Sequence, residues 1–132
     1  MIPAKATPLP ARGVADLESI ADCRELVHAF YAQVVEDPLI GPVFTSRIQD
    51  DAWPAHLERM TSFWYTVLFG ESLYHGDPRA KHLDLPIAAE HFERWLRLWS
   101  ATVDGLFVGE RAEEAKARSR RMALVLARAV RR

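Results

Sequence analysis

Residues 51–70 read DAWPAHLERMTSFWYTVLFG, and the spacing of their apolar side chains decides the fold class. His56, Met60, Phe63 and Val67 recur at intervals of three and four positions, with Trp64 beside them. This is the 3.6-residue period of a helix with one inward stripe. Asp51 is the expected N-cap, Pro54 is tolerated in the first turn, and Gly70 supplies the stop.

The same period recurs on both sides of this helix. Upstream, a first helix is expected from about Ser19 to Asp37, with Val27, Phe30, Tyr31 and Val34 on one face. Pro38 and then Gly41-Pro42 end it, and Ser46 to Asp50 reads as loop. Downstream, residues 70–79 form an irregular connection. Pro78 opens a short helical turn that carries His82, and Pro86 closes it. A third long helix spans about Ala88 to Leu106, with the stripe Phe92, Trp95, Trp99, Val103 and Leu106. After Gly109 a last helix runs from about Glu110 to Val130, acidic at its start and rich in Arg at its end, as the macrodipole favours. Its inner face is thin: Ala115, Met122, Leu126 and Val130. No segment alternates convincingly with strand period. The expected fold is therefore all-α: four main helices and one short turn, arranged as two pairs crossing at steep angles.

A chain of 132 residues fits one domain. Residues 1–15 contain Pro3, Pro8 and Pro10 but no apolar run of signal-peptide length, and read as a flexible tail before a domain at 16–132. The net charge of −1 argues against nucleic acid or an anionic membrane surface as partner, and the Arg-rich stretch from Arg118 reads as a solvated helix face. No stretch is long and apolar enough to span a bilayer. The single Cys23 forms neither an internal disulfide nor a multi-thiolate site, so a reduced, cytoplasmic setting is the default.

The chain holds five His: His28, His56, His75, His82 and His91. None is paired at metalloprotease spacing, and no His–carboxylate cluster suggests zinc or di-iron. No phosphate loop or nucleophile motif is present. A single-His metal site remains, of which haem iron with one proximal imidazole is the commonest. The absence of C-x-x-C-H argues against covalent c-type attachment.

Phe30-Tyr31, Gly41-Pro42-Val43-Phe44, Trp53-Pro54-Ala55-His56, Phe63-Trp64, Lys81-His82-Leu83-Asp84-Leu85-Pro86 and Arg94-Trp95-Leu96 occur in this order along about residues 19–130. Taken together they resemble the group III truncated haemoglobins, two-over-two helical sandwiches around a haem. The absence of the glycine-rich hinge motifs of the other groups fits this. The resemblance implies haem b, held non-covalently, with His82 as proximal iron ligand. It implies Tyr31, Trp95 and His56 as the distal, ligand-facing residues. It further implies Phe44, Met60, Phe63, Trp64, Arg79 and Ile87 as haem-contacting positions, Arg79 departing from the apolar residue more usual there. His28, His75 and His91 read as surface residues, Trp64, Trp99 and Phe92 as core, and Cys23 as inert.

Three functions stay open at this point. The first is reversible binding of O₂, NO or CO, with Tyr31 and Trp95 each offering one donor to a partly charged ligand. The second is NO dioxygenation or peroxide reduction on the same scaffold. That reaction would need an unidentified reductase, because the chain carries no flavin or nicotinamide motif. The third is a haem-free helical interaction module.

Overall fold

The computed structural model describes residues 13–70 and 87–130. Among these residues the chain is all-helical: α1 (Ile20–Val34), α2 (Gly41–Arg47), a 3-10 turn (Asp50–Ala52), α3 (Trp53–Phe69), α4 (Ala89–Leu106) and α5 (Glu110–Val130). The expected short turn carrying His82, together with Arg79 and His75, lies outside the described residues.

Helix α1 starts where Ser19 Oγ accepts the Asp22 N–H at 3.3 Å and the Asp22 carboxylate accepts the Glu18 N–H at 2.8 Å. The two bonds form a reciprocal cap. The helix stops at Val34, three residues before the expected Asp37. The reason is Asp37 itself: its carboxylate takes the N–H groups of Leu39 (3.0 Å) and Ile40 (2.9 Å), a local alternative to helix continuation. Gly41-Pro42, expected only to break structure, instead opens α2. Proline is favoured there because the first helical N–H groups have no partner to lose. The expected loop from Ser46 to Asp50 is corrected likewise: Ser46 and Arg47 complete α2, and Asp50 begins the 3-10 turn.

Asp51 is not the N-cap of α3. It sits inside the 3-10 turn, and Ala52 occupies the cap position without a side-chain bond. The helix ends as expected at Gly70, whose φ of 77° is left-handed and whose N–H bonds the Thr66 carbonyl at 3.0 Å. Helix α4 begins at Ala89 and α5 at Glu110, within a residue of expectation.

Helix α1 packs on α3 and α4 on α5; α1 also packs on α4, and α3 on α5. This is two pairs of helices, one laid over the other. The core between them contains Leu26, Val27, Phe30 and Val34 of α1, Trp53, Leu57, Trp64 and Leu68 of α3, and Trp99 and Val103 of α4. From α5 come Ala112, Ala115, Ser119 and Ala123. These small residues let α5 lie close against α4, and Trp99 Nε1–H donates to the Ala115 carbonyl at 3.2 Å. The expected inner face of α5 is present for the residues described: Ala115 is buried, Met122 is half-buried against the core and Leu126 is half-buried, while the Val130 side chain lies outside the described ones.

Residues 13–15, read with the tail from the sequence, are bonded to the α4–α5 corner. The Gly13 N–H reaches the Asp104 carbonyl at 3.0 Å, and the Val108 N–H reaches that of Ala15 at 2.9 Å. A Cβ on Gly13 would stand 2.2 Å from the Phe107 nitrogen, so only glycine fits this approach. Next to it, the Asp16 carboxylate accepts the N–H groups of Arg111 and Ala112, both at 2.9 Å, and caps α5 from far along the chain.

Candidate functional site

Helix α3 carries two apolar directions rather than one. Trp53, Leu57, Thr61, Trp64 and Leu68 are buried in the core, whereas His56, Met60 and Phe63 are half-buried. The second set faces a cavity of about 410 Å³. That volume lies in the range of cofactor pockets, roughly 300–1,000 Å³. Phe30 and Tyr31 of α1 line it, as do Val43 and Phe44 of α2 and Trp64 of α3. Ile87, with Phe92, Trp95 and Trp99 of α4 and Met122 and Leu126 of α5, completes the apolar wall.

Every described residue that the sequence marked as a site residue lies in this wall: Tyr31, Phe44, His56, Met60, Phe63, Trp64, Ile87 and Trp95. His82 and Arg79 lie outside the described residues. Trp64 and Trp99 are also core, as expected, while Phe92 is half-buried at the cavity.

Aromatic packing holds the wall rigid. Tyr31 is surrounded by edge-on rings, with centroid distances of 5.0 Å to Phe30, 5.6 Å to Phe44, 5.8 Å to Trp53 and 5.0 Å to His56. On α4, Trp99 stacks on Trp64 at 4.5 Å and on Trp95 at 5.9 Å, and Phe30 meets Trp95 edge-on at 5.6 Å. Offset and edge-on pairs of this kind contribute about 0.5–1.5 kcal/mol each beyond burial. Arg94, beside Trp95, pairs with Asp37 at the α1–α2 corner and fixes α4 in register. Burial works against the Asp37 carboxylate. Even so, the Ile40 N–H, the Arg94 guanidinium and the Leu39 N–H hold it below its ordinary 3.8.

The polar groups of the wall have one character. Burial alone pushes the Tyr31 phenol well above its usual 10, so it stays a neutral O–H donor. The other ionisable lining residues are Arg47, Arg59, His56 and His91, all basic in type, and no carboxylate joins them among the described residues. Arg47 and Arg59 are exposed as well as lining, which puts them at the rim. The arrangement suits an apolar ligand with an anionic end.

Three of these residues were not singled out from sequence. Arg59 follows His56 by three positions, a helical spacing that could have revealed it. Arg47 carried no such signal, because α2 was read as loop. His91, expected at the surface, is half-buried in the wall four residues before Trp95. Its Nδ1 accepts the Ala88 N–H at 3.0 Å, so its proton sits on Nε2. His28 is exposed, as expected.

The model of the bacterial-like globin family matches residues 18–129. The chain is 40% identical over 90 residues to the group 3 truncated hemoglobin ctb of Campylobacter jejuni, a match covering 66% of this chain and 68% of that protein. It is 34% identical over 85 residues to the group 2 truncated hemoglobin YjbI of Bacillus subtilis, covering 61% of each. Among solved structures, the group III truncated hemoglobin from Campylobacter jejuni superposes with a TM-score of 0.80 at 30% identity, covering 86% of this chain and 92% of that one. A family match across nearly all of a two-over-two helical fold leaves one conclusion: this chain belongs to the bacterial-like globin family.

Proposed function

We propose that the chain binds haem b non-covalently in this cavity, with His82 as proximal ligand, and reversibly holds a diatomic gas, O₂, NO or CO. The observation that carries the reading is the convergence of Tyr31, His56, Trp95 and their apolar neighbours on one cavity with a basic rim. Such a wall matches a large apolar disc with two carboxylates. Phe44, Met60, Phe63, Trp64 and Ile87 would bury the disc, and Arg47 and Arg59 would meet the carboxylates. When bound, the haem iron supplies the coordination site for the gas.

The chain's own residues set what that site favours. Tyr31 supplies a neutral O–H and Trp95 an N–H, both donors to a ligand carrying partial negative charge. His56, in the first turn of α3 against Tyr31, controls entry at the cavity edge. A separate reductase would restore the ferrous state. Burial pushes the Cys23 thiol up to about 11, so it stays protonated and unreactive.

Haem titration tests the reading. One equivalent should give a saturable Soret band, and acidified butanone should extract the pigment. A titration without saturation, or pigment that stays with the polypeptide, would overturn it.

A further inference from the structure

Trp53 is not accounted for by the site described above. Its indole is completely buried at the start of α3, yet its Nε1–H meets no acceptor among the described residues. A buried donor without an acceptor costs free energy, and a phenylalanine would fill most of this space without that cost. Packing alone therefore does not explain an indole here.

What surrounds it does. Trp53 stands edge-on to two rings of the cavity wall, Tyr31 at 5.8 Å and His56 at 5.6 Å, and those two rings stand 5.0 Å from each other. Tyr31 and His56 line the cavity, whereas Trp53 sits behind them. Pro54, next in sequence, constrains the first turn of α3, and the i, i+3 spacing sets Trp53, on the core face, beside His56, on the cavity face. The three rings form a closed triangle, and the Trp53 N–H is left without an acceptor among the described residues.

We propose that Trp53 is a positioning residue for the Tyr31–His56 pair, its indole N–H donating to that pair, directly or through one water, when a ligand draws the tyrosine proton into the cavity. A phenol that receives a hydrogen bond on its oxygen becomes a stronger donor through its own proton. Trp53 thereby sharpens the preference for a polar ligand without touching it. The inference rests on the haem reading above.

The test is Trp53→Phe in the haem-loaded protein, with Tyr31→Phe and the double variant. O₂ dissociation should quicken roughly three- to tenfold, the worth of one neutral hydrogen bond, while CO dissociation barely changes. The C–O stretching band of the CO-loaded protein should shift. Both effects should largely vanish in the Tyr31→Phe background, because the two residues act as one unit. The ligand-free Trp53→Phe protein should melt no lower than the parent. In the unaltered protein, the Trp53 indole N–H resonance should move and exchange more slowly once O₂ or CO is bound. A normal Soret band with O₂ release, C–O stretch and indole resonance all unmoved overturns the inference and leaves the haem reading standing. Effects that persist undiminished without the Tyr31 hydroxyl overturn it too. A protein with no Soret band refutes the haem reading itself.

Discussion

Replacing Tyr31 by Phe removes one hydroxyl and leaves the ring, and the structure predicts different consequences for the empty and loaded protein. Tyr31 is 6% exposed, lines the cavity, and has its phenol pushed up by burial. All four edge-on ring contacts survive the change. The ligand-free protein therefore keeps the packing of this ring. Its stability should change by no more than about 1 kcal/mol. For a chain of this length that is a shift of at most about 4 °C in Tm. In the loaded protein the same hydroxyl is a donor to a partly charged ligand, a bond contributing about 1.5–3 kcal/mol. Its loss should quicken O₂ dissociation roughly ten- to hundredfold. CO is nearly uncharged when bound, so its dissociation should move far less. Stopped-flow displacement of each gas, beside thermal melts of the ligand-free protein, measures both halves. Equal changes for the two gases would mean altered access rather than a lost hydrogen bond. A fall of more than about 2 kcal/mol in ligand-free stability would show that the hydroxyl serves the core instead.

Other perturbations probe separate parts of the molecule. His82→Ala should abolish tight haem binding while His28→Ala, at an exposed position of α1, leaves the Soret titration intact; a parental ferrous spectrum in His82→Ala would refute the proximal assignment. Asp16→Ala strips the remote cap from α5 and should cost roughly 1–3 kcal/mol, a drop of roughly 4–10 °C in Tm, with haem stoichiometry unchanged. Asp37 has a folded pKa below its ordinary 3.8, so it contributes stability that is fully present above that value and is lost as pH falls through the lowered one. Urea unfolding should accordingly show Asp37→Asn well below the parent at pH 7, with the gap closing at the acid end; a gap independent of pH would show that the carboxylate charge is not what ties α1 and α2 to Arg94.

Four helices were legible in the sequence because their signals are local. Ser19 caps its own helix, Gly70 stops α3 through its own φ, and the apolar period of each segment lies within that segment. The residues of the candidate site were legible for another reason. Their motifs resemble a family, and the described ones do gather on one cavity. Tertiary structure decided the rest. Periodicity announces an apolar stripe but not how many neighbours it serves. On α3 it could not separate the face of Trp53, Leu57 and Trp64, which meets other helices, from that of His56, Met60 and Phe63, which borders the cavity. Nor could it show that α5 turns its small residues inward, because that depends on the bulk of Trp99 opposite. Gly41-Pro42 reads as a break in any local view. It opens a helix here because Asp37, held by Arg94 from the far side of the fold, ties down the turn before it. His91 joins the wall only once α3 and α4 face each other across the cavity, a long-range arrangement that no short window of sequence encodes.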